Sequence, residues 1–91
     1  MANTFKLSIV TPERIVFNGT AESIIAPGIM GCIGILAHHA PLMTALSNGK
    51  LTVRLENGQE ALYDIHGGML EVSSNQVTIL SDSIAQDEND Q

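Results

Sequence analysis

The feature that most constrains the fold is a repeated alternation of apolar and polar residues over short segments that end in turn signals. The alternation is clear in residues 5–9 and 51–56, and a period of two residues is typical of a half-buried strand. Asn57-Gly58 follows the second of these segments and predicts a β-hairpin with residues 60–65. No long window shows sustained helical periodicity. We therefore expect an all-β fold, a flattened β-sandwich of about ten short strands with no helical hairpin.

Glycine, proline and asparagine divide the rest of the chain. Turns are predicted at Thr11-Pro12-Glu13, at Asn18-Gly19, at Pro27-Gly28 and at Gly67-Gly68. Between them the apolar runs predict further strands or short elements at residues 14–17, 20–26, 33–36, 42–46, 69–72 and 76–80.

Length and charge limit both the organisation and the partners of the chain. With 91 residues it has room for one small domain, which we place at residues 1–85. The acidic segment 86–91 has no apolar residue and is expected to be disordered. A net charge of −6 argues against a nucleic-acid partner. The single cysteine, Cys32, cannot form an internal disulfide.

Two blocks of residues are similar to one known family. The first lies in residues 31–44 and reads Gly-x-x-Gly-Ile, followed by His-Ala-Pro-Leu-x-Thr. The second begins at Gly67 with Gly-Gly-x-Leu-Glu-Val and continues through Asn75 to Val-Thr-x-Leu-x-Asp, which ends at Asp82. Both resemble the epsilon subunit of F-type ATP synthases, which is called delta in mitochondria. The resemblance covers residues 3–85, the family's amino-terminal β-sandwich domain.

The resemblance implies a non-catalytic role. Members of the family are rotor subunits of the central stalk, which link the gamma subunit to the c-ring and couple proton translocation to ATP synthesis. It therefore implies gamma and the c-ring as partners, and no cofactor, metal, bound ATP or small-molecule substrate. The implied location is the cytoplasmic face of the bacterial inner membrane, or the equivalent face of an energy-transducing organelle membrane, with attachment only through the complex.

The resemblance also implies two contact sites. In relatives the loop ahead of the first conserved glycine pair rests on the c-ring, and by position that loop corresponds here to Gly28, Ile29, Met30, Gly31, Cys32 and Ile33. The gamma interface corresponds to Thr11, His39, Ala40, Pro41, Leu42, Met43 and Thr44. The loop is unusually apolar, so its side chains either form an exposed interaction surface or fold back into the core.

The chain departs from the family pattern in three places. Cys32 stands where relatives often carry a carboxylate that can meet a basic residue of the c-ring. Ala37-His38 replaces a pair that is commonly Pro-Gly. The sequence also stops before the pair of helices by which longer relatives inhibit the motor and, in some members, bind ATP. We therefore expect a short form without the inhibitory element.

From the residues alone two other functions remain open, a metal-binding protein and an unrelated protein-binding module. His38, His39, His66 and Cys32 are zinc-ligand types, but neighbouring side chains on an extended backbone point in opposite directions, so the two adjacent histidines are unsuited to one metal. Cys32 has no nearby lysine or arginine to activate it as a nucleophile. The alternative function is an unrelated small β-sandwich module that binds proteins.

Overall fold

The computed structural model describes residues 3–86, and in this part of the chain it contains nine β-strands and no helix. No helix in these residues is therefore available to cross a membrane. The strands are β1 (Phe5–Val10), β2 (Ile15–Gly28), β3 (Gly31–Leu36), β4 (Leu42–Leu46), β5 (Gly49–Leu55), β6 (Glu60–Ile65), β7 (Gly68–Ser73), β8 (Gln76–Leu80) and β9 (Ile84–Gln86).

The strands form one sheet that folds into two layers around β2. One layer has the order β1-β8-β7-β4, and the other consists of β3, β2, β5, β6 and β9. The first half of β2 pairs with β1 and its second half pairs with β3 and β5, so this long strand belongs to both layers. A single pair between Gly28 and Leu46 joins β2 to β4 at one end of the sandwich. The β-sandwich predicted from the alternation is confirmed.

The core lies between the two layers and takes alternate residues from most of the strands. Leu7 and Ile9 of β1 come from one layer and Leu51 and Val53 of β5 from the other, and all four side chains are fully buried. At about 25 cal/mol per Å² of apolar surface removed from water, this burial is the main stabilising term. The other core residues are Phe5, Ala21, Ile24, Ala26, Ile35, Leu46, Tyr63, Ile65, Leu70, Val72, Val77, Ile79 and Ile84.

The predicted turn at Asn18-Gly19 is wrong, because β2 runs straight through it. Asn18 pairs with Ser8 and Gly19 pairs with Leu7 in the ladder with β1. The ring of Phe17 lies over Gly19, where an added Cβ would be 3.1 Å from the ring, and this ring covers backbone that glycine leaves exposed. Pairing with β1 therefore overrides the local turn preference.

The predicted turn at Pro27-Gly28 is displaced by two residues. Both residues lie in β2, where Pro27 pairs with Cys32 and Gly28 with Gly31. The reversal consists of Ile29 and Met30. Gly28 is buried, and a Cβ there would lie 2.6 Å from the carbonyl oxygen of Gly31, so a close approach between the two strands explains this glycine.

The end of the described chain contains a strand that alternation does not reveal. β9 pairs with β6 through Ile84 and Ile65, and both side chains are buried. Its last residue, Gln86, belongs to the segment predicted to be disordered but lies in this strand. The rest of that predicted tail, residues 87–91, lies outside the described residues.

Other turn predictions are confirmed. Asn57-Gly58 closes the hairpin between β5 and β6, and Gly58 has a φ of 88°. Gly67 and Gly68, the first residue of β7, turn the chain at the start of that strand with φ values of 65° and 128°, a backbone region that L-residues with side chains rarely adopt. Thr11 closes the first turn, because its side-chain oxygen accepts the backbone N–H groups of Glu13 and Arg14.

Candidate interaction surfaces

The first candidate surface is the hairpin tip, which we define as Ile29 and Met30. These two residues connect β2 to β3, and the Met30 side chain is 94% exposed. Cys32 is also exposed and carries a free thiol. Ile33, by contrast, packs against the core. Both alternatives left open by the sequence therefore apply to parts of the apolar loop: the side chains of the tip are exposed to solvent, and Ile33 at its base folds back into the core.

The second candidate surface is the outer face of the layer that contains β4. The corner, which we define as residues 37–41, connects β3 to β4 at one end of this face. His38 adopts a φ of 65°, a conformation that glycine reaches easily and that histidine tolerates better than most residues. His39 is half-buried, and its Nδ1 lies 2.7 Å from the carbonyl oxygen of Ala40. Ala40 and Pro41 are exposed. The corner thus presents its backbone and small side chains to solvent.

The residues after the corner form β4, and their side chains alternate between the two faces of the layer. Met43 points away from the core and is 63% exposed, whereas Leu42 packs partly against the core. Thr44 is half-buried, and its hydroxyl donates to the carbonyl oxygen of Ala45. Of the three β4 positions assigned to the gamma interface, Met43 is therefore the one that faces solvent.

Thr11 lies far from the corner. It follows β1, three strands away from β4 in the layer order β1-β8-β7-β4, which is roughly 14 Å at the usual strand spacing. It also lies at the end of the sandwich that holds Leu46, whereas the corner precedes β4 at the opposite end. The structure does not bring Thr11 and residues 39–41 together, although one outer face extends between them.

That outer face carries an apolar row that the sequence analysis missed. Leu80 pairs with Val10 on one side and with Met69 on the other. Met69 in turn pairs with Ala45, and Val10 pairs with Ile15. All five side chains lie on the face opposite the core, at exposed or half-buried positions. The outer row is defined as Val10, Ile15, Ala45, Met69 and Leu80.

A sequence signal for the outer row exists. In β1, β7 and β8 the row residues stand next to another apolar residue, in the pairs Ile9-Val10, Met69-Leu70 and Ile79-Leu80, and one member of each pair must face outward because strand side chains alternate. A different signal, which concerns the hairpin tip and the corner, is the absence of any Asp, Glu, Lys or Arg between Glu22 and Lys50. This uncharged stretch includes both the hairpin tip and the corner, and depletion of charge is typical of the centre of protein interfaces.

The zinc-ligand residue types do not converge. Cys32 lies near the hairpin tip, while His38 and His39 lie at the corner at the opposite end of β3. His66 follows β6, next to Ser81, whose hydroxyl accepts its backbone N–H. Within residues 3–86 no three His, Cys, Asp or Glu side chains are grouped so that they could hold a metal ion.

The fold and the two apolar surfaces are those of a small β-sandwich interaction domain. Residues 4–87 match the family model described as the ATP synthase, Delta/Epsilon chain, beta-sandwich domain. The chain belongs to this family. The alternative of an unrelated β-sandwich module is therefore wrong.

Similar proteins support membership of this family. The chain is 42% identical over 81 residues to the ATP synthase epsilon chain of Chlorobium limicola, covering 89% of this chain and 92% of the relative. It is 44% identical over 80 residues to the ATP synthase epsilon chain of Chromohalobacter salexigens, covering 88% of this chain but only 57% of that longer relative. The chain thus spans nearly all of some epsilon chains and little more than half of others.

Solved structures share the fold. A chain in the mitochondrial ATP synthase of Euglena gracilis, described as OSCP/F1/c-ring, superposes with a TM-score of 0.90 at 22% identity, covering 100% of this chain and 58% of that chain. A chain in the central stalk and c-ring of the Tetrahymena thermophila mitochondrial enzyme superposes with a TM-score of 0.74 at 18% identity, covering 88% and 64% respectively. At these identities the likeness establishes the fold alone.

Proposed function

We propose that this chain is a non-catalytic subunit of the central stalk of an F-type ATP synthase, where it links the gamma subunit to the c-ring and couples proton translocation to ATP synthesis. Membership of the delta/epsilon family supports the complex. The observation that carries the linking role is the presence of two apolar surfaces, the hairpin tip and the outer row, on neighbouring parts of one small sandwich. A part that joins two partners needs two such surfaces.

The shapes of the two surfaces support one assignment of the two partners. The outer row crosses β4, β7 and β8 to reach β1 and the start of β2, and Met43 lies beside it. An area of this breadth suits a large interface with gamma, since stable interfaces bury about 800 Å² on each partner. The hairpin tip presents only two residues and suits a small contact with the c-ring. We propose that the chain is attached to the membrane only through these partners and lies on the cytoplasmic face of the bacterial membrane, or its organellar equivalent.

Co-expression with the gamma subunit of the same organism, followed by size-exclusion chromatography, tests the assignment. We expect a one-to-one complex with the wild-type chain. Met43→Asp should weaken gamma affinity by roughly tenfold or more, because an interface would bury its carboxylate without a partner. The matched control is Leu36→Asp, since Leu36 is similarly exposed at 66% but lies in the other layer.

Three results are informative. If Met43→Asp alone fails to bind, the outer face is the gamma interface. If both variants bind like the wild type, the interface lies elsewhere on the sandwich and the assignment of the outer face is wrong. If the folded wild-type chain itself does not bind gamma, the proposed link is wrong.

A further inference from the structure

We propose that Asn75 is a positioning residue for the gamma interface: its side-chain amide holds the corner of residues 37–41, which leads directly into Met43 of the outer face, in the conformation that gamma binding requires. This inference rests on the proposed function. Asn75 lies in the turn between β7 and β8, on a different element from the corner and 37 residues away from His38 in the sequence.

The contacts of Asn75 join three segments of the chain. Its Oδ1 accepts the backbone N–H of His38 at 2.7 Å, and its Nδ2 donates to the carbonyl oxygen of Thr4 at 3.0 Å. Its own carbonyl oxygen accepts the backbone N–H of Lys6 at 3.2 Å. One residue therefore ties the corner and the start of β1 to the turn before β8.

The corner makes few hydrogen bonds to the rest of the fold, although Ala37 packs partly against the core. Within the described residues, the bond from His38 to Asn75 is the one hydrogen bond that joins residues 37–41 to another element. The ring of His39 bonds only to the neighbouring Ala40, and Pro41 has no N–H to donate. Because His38 also has a left-handed backbone, the corner needs an external contact to keep a conformation that costs about 1–2 kcal/mol for a residue other than glycine.

Asparagine suits both demands of this position. Asn75 has a φ of 59°, and asparagine is among the few residues that tolerate this region. Its amide supplies one acceptor and two donors, so it can accept from His38 and donate to Thr4 at the same time. Aspartate would keep the acceptor but lose the donor, and glycine would keep only the backbone conformation.

The test compares Asn75→Gly with Ser74→Gly. Ser74 is the neighbouring residue in the same turn, is exposed and has a φ of 51°, so glycine there relieves the same backbone conformation without touching the corner. Two quantities are measured for each variant: the hydrogen-exchange rate of the His38 amide and the affinity for gamma. Exchange of the core amide of Ile79 reports whether the variant is folded.

We expect the His38 amide to exchange at least about tenfold faster in Asn75→Gly, and gamma affinity to fall by about tenfold, with Ile79 and the Ser74→Gly control unchanged. If Asn75→Gly does not fold, Asn75→Asp replaces it and should keep the His38 amide protected and most of the gamma affinity.

Several results would overturn the inference. Unchanged exchange at His38 in Asn75→Gly shows that the amide does not hold the corner. Faster exchange with unchanged gamma affinity shows that the conformation of the corner does not matter for binding, and both results leave the proposed function standing. A wild-type chain that does not bind gamma overturns the proposed function and this inference together. Where Asn75→Asp is used instead, loss of protection at His38 or of most of the gamma affinity also counts against the inference.

Discussion

The backbone N–H of Ile29 donates to the carbonyl oxygen of Ala45 at 3.1 Å. Ile29 belongs to the hairpin tip and Ala45 belongs to the outer row, so a direct hydrogen bond connects the two candidate surfaces. Ser47 strengthens the connection, since its N–H and its hydroxyl both donate to the carbonyl oxygen of Pro27 at 2.8 and 3.2 Å. The hairpin is therefore anchored to β4, and a force on the tip passes into the layer that carries the outer row.

The first prediction concerns the hairpin tip. Because the Met30 side chain is almost wholly exposed, Met30→Asp should change the free energy of unfolding by less than about 0.5 kcal/mol. The same change should weaken attachment to the c-ring, where an apolar side chain would be replaced by a charge, and should leave gamma affinity intact. Urea unfolding, gamma co-elution and binding of the gamma complex to purified c-ring measure the three effects.

The control for the tip is Gln59→Asp in the hairpin between β5 and β6, an exposed position in another loop. It should retain c-ring binding. Equal c-ring binding by Met30→Asp and the wild type would show that the tip does not make this contact.

The second prediction concerns the left-handed backbone of His38. Replacing His38 by glycine relieves the strained conformation and keeps the N–H that bonds to Asn75. Net of the larger backbone entropy of glycine in the unfolded chain, His38→Gly should stabilise the domain by about 0.5–1 kcal/mol. His39 has no positive φ, so His39→Gly should destabilise. If urea unfolding shows that both variants change the free energy of unfolding in the same direction, backbone strain at His38 does not explain the effect.

The third prediction compares two glycines. A Cβ at Gly68 would overlap the carbonyl oxygen of Leu80, and the φ of 128° adds strain. Gly68→Ala should therefore lower the free energy of unfolding by about 3 kcal/mol or more. Gly34 has open space around the same position and no positive φ, so Gly34→Ala should raise stability by about 0.4–1 kcal/mol through the unfolded state. Thermal unfolding measures both variants. Equal shifts in the unfolding temperature of Gly68→Ala and Gly34→Ala would contradict this prediction.

The fourth prediction concerns pH. Burial raises the pKa of the Tyr63 phenol above its ordinary value of 10.0. As the pH rises towards and above 10, the phenol ionises in the unfolded chain before it ionises in the folded one. Ionisation therefore favours the unfolded state, and the free energy of unfolding falls until the pH passes the folded pKa. Wild-type stability should therefore drop more than that of Tyr63→Phe between about pH 8 and pH 10.5. Equal drops in chemical denaturation at the two pH values would show that Tyr63 is not responsible.

The sequence predicts the strands well where turn chemistry and alternation agree. Asn57-Gly58 and Gly67-Gly68 both occur where the chain changes direction, because Gly58, Gly67 and Gly68 adopt a positive φ that glycine reaches without strain. Asn18-Gly19 carries the same local signal but lies inside β2, since pairing of Asn18 with Ser8 in a long ladder outweighs the turn preference. Local signals do not contain this non-local term.

The candidate surfaces are only partly readable from the sequence. The apolar loop indicates the hairpin tip directly, because Ile29 and Met30 stand where a monomer usually places polar side chains. The outer row is harder to predict, since Val10, Met69 and Leu80 become neighbours only through the strand order β1-β8-β7. That order includes a parallel pairing of β1 with β8 across most of the chain, which no local pattern specifies.

The most direct test of the central claim is coupling in a reconstituted enzyme. ATP-driven proton pumping and ATP hydrolysis are measured in vesicles that contain the complex without this chain, with the wild-type chain and with Met43→Asp. We predict that the wild-type chain raises the ratio of protons pumped to ATP hydrolysed, and that Met43→Asp restores this ratio only in part because it binds gamma weakly. A ratio that is the same with and without the bound wild-type chain would contradict the claim that it links gamma to the c-ring.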